Sequence, residues 1–124
     1  MTFNGNKYPS MSKHDTVIRL QDMRDAAQEA VTLIHGRSRS DLHADRVLNL
    51  ALVRLLEIVG EAANRLPRDV QDRYPAIRWA EIVGLRNRLI HGYGAIDLDI
   101  VYRIITADLP PLITARDEAI RIES

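Results

Sequence analysis

The chain contains no cysteine. That excludes disulfides, thiol catalysis and every cysteine-based metal site, and it fits a reducing, cytoplasmic compartment. Aromatic residues are scarce too, at 5% with one Trp and one Phe. A core must therefore be assembled from Leu, Ile, Val and Ala, as in helical bundles. Net charge is also absent, because 17 Lys and Arg balance 17 Asp and Glu. A protein that coats nucleic acid through broad electrostatic attraction is not expected. No apolar run reaches the roughly 18 residues that span a bilayer, since Arg54, Glu57 and Glu61 interrupt the longest candidate. No signal-peptide pattern opens the chain, so no membrane association is expected. There is no glycine-rich nucleotide loop of the Gly-x4-Gly-Lys type and no Gly-x-Ser-x-Gly elbow. His14, His35 and His43 show no ligand spacing with one another or with a carboxylate, so neither a metal site nor a cofactor is expected.

What remains is helical. At 124 residues the chain is read as a flexible leader over 1–12, rich in Gly, Pro, Asn and Ser, and then a single domain over 13–124. From Asp15 to about His35, Val17, Leu20, Ala27, Val31 and Ile34 recur at helical spacing. Gly36 to Ser40 break the period, and Ser40 or Asp41 is a candidate cap for the next helix. This second helix, over Leu42 to Leu66, carries apolar residues from Val47 to Ala62 around much of its circumference, as a central element should. Pro67 and Pro75 bracket a single turn around Val70. A third helix is expected from Trp79 to His91, stopped by Gly92 and Gly94. A fourth is capped by Asp97 and bent or broken at Pro110-Pro111, and a last stretch covers Leu112 to Ile122. With no strand-like alternation of useful length and no internal repeat, the fold class is all-α, an antiparallel four- to five-helix bundle.

The chemistry concentrates in Arg86-Asn-Arg-Leu-Ile-His-Gly-Tyr93. Arginine offers a planar fork matched to phosphate oxygens, and histidine changes charge near neutral pH. Between Arg73 and Tyr93 four arginines face one acid, Glu81, so a focused anion site is compatible with a neutral chain. A phosphodiester is the first substrate to consider. On an ideal helix Arg86 and His91 sit about 140° apart, while Tyr93 returns to within about 20° of Arg86. Either the helix distorts near Gly92, or another element completes the site. The helical neighbours of His91 are Asn87 and Arg88. Cleavage by a ribose 2′-hydroxyl needs one proton removed, one delivered and charge on phosphorus stabilised. One chain supplies one such histidine, so a two-fold homodimer with a composite site is expected. Taken singly, these residues have ordinary explanations: a solvated arginine, a histidine at a helix C-terminus, a packing tyrosine. Arg54, Glu57, Glu61 and Arg65 on the second helix form either a solvent stripe held by Glu61 and Arg65, or a carboxylate source that orients Arg86 or His91.

The spacing Arg86, four residues, His91, Gly92, Tyr93 resembles the Arg-x4-His-x-Tyr signature of HEPN domains, in particular their HepT-like branch. The resemblance extends over Ile58 to Pro67, Pro75 with Arg78-Trp79, Gly84 to Asn87 and Asp108 to Pro110, and covers about His14 to Ile120. It implies a helical-bundle toxin of a two-gene toxin-antitoxin module, a metal-independent endoribonuclease that acts on RNA as a homodimer. The implied partner is a minimal nucleotidyltransferase antitoxin that transfers AMP to the motif tyrosine, here Tyr93. Arg86 and His91 are then the catalytic pair, with Asn87, Arg88 and Glu61 binding or orienting substrate. The rival reading is a binding module that docks a nucleotidyltransferase or a nucleotide and performs no chemistry.

Overall fold

The computed structural model describes residues 12–91 and 95–123. The leader before Ser12 and the motif residue Tyr93 lie outside the described residues, as do the side chains of Arg86 and His91. Helix α1 (Lys13–Ile34) begins at Ser12, whose hydroxyl accepts from the Asp15 N–H at 3.0 Å. It packs along α3 (Arg46–Asn64) and α8 (Leu109–Glu123). Leu20, Met23, Ala26, Ala27, Ala30 and Ile34 form its buried stripe. The alanines permit close approach of α3, which presents Leu48, Leu52, Leu55, Leu56, Val59 and Ala63 to the same core.

Between them lies α2 (Arg39–Ala44), entered through Gly36 at φ +73°, the left-handed conformation that suits glycine after a helix end. The cap of α2 is Ser38 rather than Ser40 or Asp41. Ser38 Oγ accepts from the Asp41 N–H at 3.1 Å, while the Asp41 carboxylate accepts from the Ser38 N–H at 2.8 Å. The expected helix from Leu42 to Leu66 is interrupted at Asp45, where the chain is extended and the side chain caps α3 through the Leu48 N–H at 3.0 Å. A capping carboxylate competes with the helical backbone and starts a new helix in a new direction. Val47, expected in the core, is consequently 79% exposed.

The far end of α3 is closed by Gln71, whose Nε2 donates to the carbonyls of Ala63 and Leu66. This fixes α4 (Arg68–Asp72), the expected single turn, with Val70 buried. The helix expected from Trp79 to His91 is two short helices, α5 (Trp79–Val83) and α6 (Leu85–Leu89), joined at Gly84. α3 passes close to their junction: a Cβ at Gly60 would lie 3.2 Å from the Ile82 carbonyl and 3.8 Å from the Leu85 Cβ.

The helical stretch from α7 (Leu98–Arg103) onward is not broken at Pro110-Pro111. It runs into α8 through a π-helical turn over Ile104–Asp108, in which the Leu109 N–H reaches back five residues to the Ile104 carbonyl. Two consecutive prolines remove two donors from the ladder. Both prolines fall in the first turn of α8, directly after the wider turn, where missing donors are best tolerated. Thr106 Oγ1 donates to the Tyr102 carbonyl at 2.8 Å, so that oxygen keeps a partner.

Candidate functional site

Arg86, Asn87 and Arg88 occupy successive positions of α6. Leu85 and Leu89, one turn apart, are fully buried, and they set α6 against α3 and α7. Asn87 falls on the opposite side and is exposed. Arg88 is 30% exposed and donates through Nη2 to Asp108 Oδ2 at 3.1 Å, joining α6 to the π-helical turn. The expected role of Arg88 in orienting substrate thus meets a guanidinium already committed to a carboxylate of its own chain.

His91 is not at a helix C-terminus. Helix α6 ends at Leu89, and Ile90–His91 form a short strand β1 paired antiparallel with β2 (Ala95–Ile96), His91 opposite Ala95 and Ile90 opposite Ile96. The two-residue ladder continues the helix's hydrogen bonding in another form, because the Asp97 N–H donates to the Leu89 carbonyl at 2.8 Å. That oxygen would otherwise be one of the orphan acceptors of a helix end. The helical spacing that made Asn87 and Arg88 the neighbours of His91 therefore does not apply. The helix is interrupted before Gly92, and a second element does approach: the strand on the far side of the motif.

Asp97 then caps α7, accepting from the N–H groups of Asp99 and Ile100 at 3.0 and 3.1 Å. Asp99 Oδ1 lies 2.9 Å from His43 Nε2 and 3.7 Å from Arg39 Nε, and the Arg39 guanidinium stands 5.7 Å from the Tyr102 ring centroid. The base of the His91 hairpin is thereby tied through α7 to α2. Arg39 and His43 both serve this tie. Sequence periodicity missed the cluster because its members come from segments 56 residues apart.

Glu61 lies one position beyond Gly60, at the ridge between two surface depressions. One, of about 250 Å³, runs between α1 and α3 and includes Asp22, Asp25, Glu29 and Arg65. The other, of about 190 Å³, is lined by Glu57, Gly60, Glu61, Asn64 and Val83 beside the α5–α6 junction. The carboxylate of Glu61 sits 3.5 Å from Arg54, two turns back, instead of forming the expected pair with Arg65. Among the described residues, no group of three or more His, Asp or Glu is placed to hold a metal ion, and no helix is long and apolar enough to cross a membrane.

A family model described as Ribonuclease HepT-like matches residues 23–119, most of the chain. A protein of Methanocaldococcus jannaschii named "Putative RNase" is 32% identical over 102 residues, covering 82% of this chain and 94% of that relative. One of Caldanaerobacter subterraneus with the same description is 33% identical over 93 residues, covering 75% and 83%. A "Probable ribonuclease HepT" of Thermococcus cleftensis is 32% identical over 96 residues, covering 74% and 87%. No solved structure matches the chain. The matched segment contains all of α6, the His91 strand and the π-helical turn, and on this match the chain belongs to the ribonuclease HepT-like family.

Proposed function

We propose that the chain is a metal-independent endoribonuclease and the toxin of a two-component toxin-antitoxin module, working in the cytoplasm as a homodimer. In this reading the ribose 2′-hydroxyl attacks phosphorus and the bond to the 5′-oxygen breaks. One His91 removes the proton from the nucleophile, and the His91 of a second copy delivers a proton to the leaving oxygen. Arg86 binds the scissile phosphate and offsets the charge that builds on its oxygens. Asn87, exposed on α6, orients the substrate, and Glu61 supports the cleft from α3. Arg88 contributes by holding α6 against Asp108.

The observation that carries the reading is the family match, which spans the Arg86 helix and the His91 strand in one segment. The position of His91 supports it. A histidine in a two-residue strand closed by the Asp97 N–H is freed from the helical spacing that set it about 140° from Arg86.

Silencing acts on the same site. A minimal nucleotidyltransferase antitoxin transfers AMP from ATP to Tyr93: the phenol oxygen attacks the α-phosphorus and pyrophosphate leaves. The added phosphate occupies the anion site beside Arg86 and excludes RNA.

The test uses purified full-length chain and RNA in the presence of a chelator. Cleavage leaving 2′,3′-cyclic phosphate and 5′-hydroxyl ends is expected, with loss of activity in both His91→Ala and Arg86→Ala. Activity that disappears with the chelator, or that survives in His91→Ala, overturns the mechanism. Intact-mass measurement of protein made with and without a co-expressed nucleotidyltransferase tests the modification, and Tyr93→Phe should block the mass increment.

A further inference from the structure

A hollow of about 130 Å³ lies where α5, α6, the π-helical turn and the start of α8 meet. Its floor is aliphatic, built from the buried side chains of Ile77, Ile82 and Leu112. Two ion pairs line it as well. Arg88 donates through Nη2 to Asp108 Oδ2 at 3.1 Å, and Arg78 donates through Nη2 to Glu81 Oε1 at 2.7 Å. Asp108 reaches the hollow from the last position of the π-helical turn, a rare backbone form that recurs at functional sites.

Charge and size restrict the occupant. Two guanidinium groups against two carboxylates leave no net charge, so the hollow does not select a phosphate. The two hollows beside Glu61 carry an excess of carboxylates and disfavour RNA altogether. An apolar floor with a few polar groups at its edge suits a neutral, flat, hydrogen-bonding ring. A guanidinium carries five N–H donors and a carboxylate two acceptor oxygens. The Arg78–Glu81 contact uses Nη2 and Oε1, and the more exposed of the two pairs can turn its other groups to a ligand. A nucleobase edge, which sets donor beside acceptor, is the complement of such a pair. The volume then selects among bases. It is close to the roughly 150 Å³ of a cavity that holds one benzene ring, so a single-ring base fits and a two-ring base does not.

We infer that this hollow is a pyrimidine-base subsite for the RNA substrate, with the ring on Ile77, Ile82 and Leu112 and its edge met by Arg78 and Glu81. The Arg88–Asp108 pair keeps its bracing role and forms the wall between the hollow and α6. The inference deepens the nuclease reading and rests on it for RNA as the source of the base. Positions 86 and 88 are about 3 Å apart along the α6 axis, so a base held beside Arg88 belongs to a nucleotide near the phosphate assigned to Arg86. A preference for C or U close to the cut follows. A free pyrimidine nucleotide carries the same ring, and the two sources are separated by experiment.

Binding is read on the full-length chain carrying His91→Ala, so that no RNA is cut. Cytidine and uridine, titrated to about 10 mM, should shift the amide resonances of Ile77, Ile82 and Asp108, because a ligand with so few atoms is expected to bind at about 1 mM. Adenosine and guanosine should bind at least about fivefold more weakly, and so should the pyrimidines when Arg78→Ala and Glu81→Ala are combined. Ala76 and Ala107 line the hollow and are exposed. Ala76→Trp and Ala107→Trp should each fill it and abolish the shifts, with unchanged circular dichroism showing that the fold is retained. Fluorescence anisotropy with oligoribonucleotides carrying one abasic residue, moved along the strand, supplies the RNA arm. Binding should fall at least about fivefold at one pyrimidine position, and Ala76→Trp should remove that dependence. Resonances that no nucleoside moves, purines that bind as well as pyrimidines, or shifts that survive both tryptophans overturn the subsite. Pyrimidine binding with no position dependence in RNA overturns RNA as the source and assigns the hollow to a free nucleotide. Both arms as expected, with no cleavage by the wild-type chain, overturn the nuclease reading and leave the subsite standing.

Discussion

Replacing Arg88 by Met and Asp108 by Asn, singly and together, separates support of the site from contact with substrate. The two groups meet at 3.1 Å with 30% and 28% of their side chains exposed. At an effective dielectric of about 20, unit charges at that separation attract by roughly 5 kcal/mol. Most of this is offset by removing both groups from water and by fixing a long arginine side chain, which leaves a net coupling of about 1 kcal/mol. Each single variant should lower the unfolding free energy by about 1–2 kcal/mol, and the double variant by less than the sum of the two. Urea unfolding at low and high salt measures the cycle, and the coupling should shrink with salt because both groups retain access to solvent. A coupling within about 0.3 kcal/mol of zero would refute the brace. The kinetic arm is independent of that result. If Arg88 acts through α6, Asp108→Asn and Arg88→Met should change RNA cleavage alike. If Arg88 instead touches substrate, Arg88→Met alone should raise KM, with Asp108→Asn near wild type.

Three further outcomes are expected. Gly60→Val should destabilise by about 1–3 kcal/mol in thermal or urea unfolding, because its Cβ would already lie 3.2 Å from the Ile82 backbone oxygen, closer than ordinary contact; equal stability would mean the α3 contact is slack. Leu56→Ala, at a fully buried position, should cost about 2–5 kcal/mol by the same measurement, and a loss under about 1 kcal/mol would show that the core collapses onto the gap. The carboxylates of Asp41 and Asp45 are held below the ordinary range, chiefly by the backbone N–H of Ser38 and of Leu48 respectively, with Arg37 assisting at Asp45. A depressed folded-state pKa stabilises above the unfolded value of about 3.9 and is lost as pH falls through the native value. The acid limb of unfolding should therefore be shallower in Asp41→Asn/Asp45→Asn, and an unchanged limb would contradict the capping assignment.

The helices are legible wherever burial runs in one direction for several turns. Leu20, Ala27 and Ile34 announce α1, and Leu52, Leu56 and Val59 announce α3, because a single packed face imposes a single period. The junctions escape, because there a polar side chain outcompetes the ladder. Asp45 reads as mid-helix although it caps α3, and Val47 reads as core because the residues around it are apolar. The prolines at 110 and 111 read as a break because a π-helical turn has no period of its own to detect. Its supports, Thr106 to Tyr102 and Arg88 to Asp108, exist only in three dimensions. The motif is visible as composition, while its geometry is not. Nothing between Arg86 and His91 signals a change from helix to strand, because the deciding partners, Ile96 and Asp97, come after the motif.

That change of backbone form decides how the motif is held. Carried on one helix, residues five apart are directed about 140° from each other. Ending the helix at Leu89 substitutes a different constraint: the backbone at His91 is set by its pairing with Ala95, and so by whatever fixes β2. Strand β2 leads directly into Asp97, whose N–H closes the hairpin and whose carboxylate starts α7, and α7 is held in turn by His43 and Arg39 through Asp99. Arg86 answers to a different set of supports, the Gly60 contact at the head of α6 and the Arg88–Asp108 pair beyond it. The backbone at two positions close in sequence is therefore held by separate parts of the fold. On the proposed roles, loosening the α2–α7 tie should disturb the histidine's share of the chemistry, and loosening the π-turn brace should disturb the arginine's.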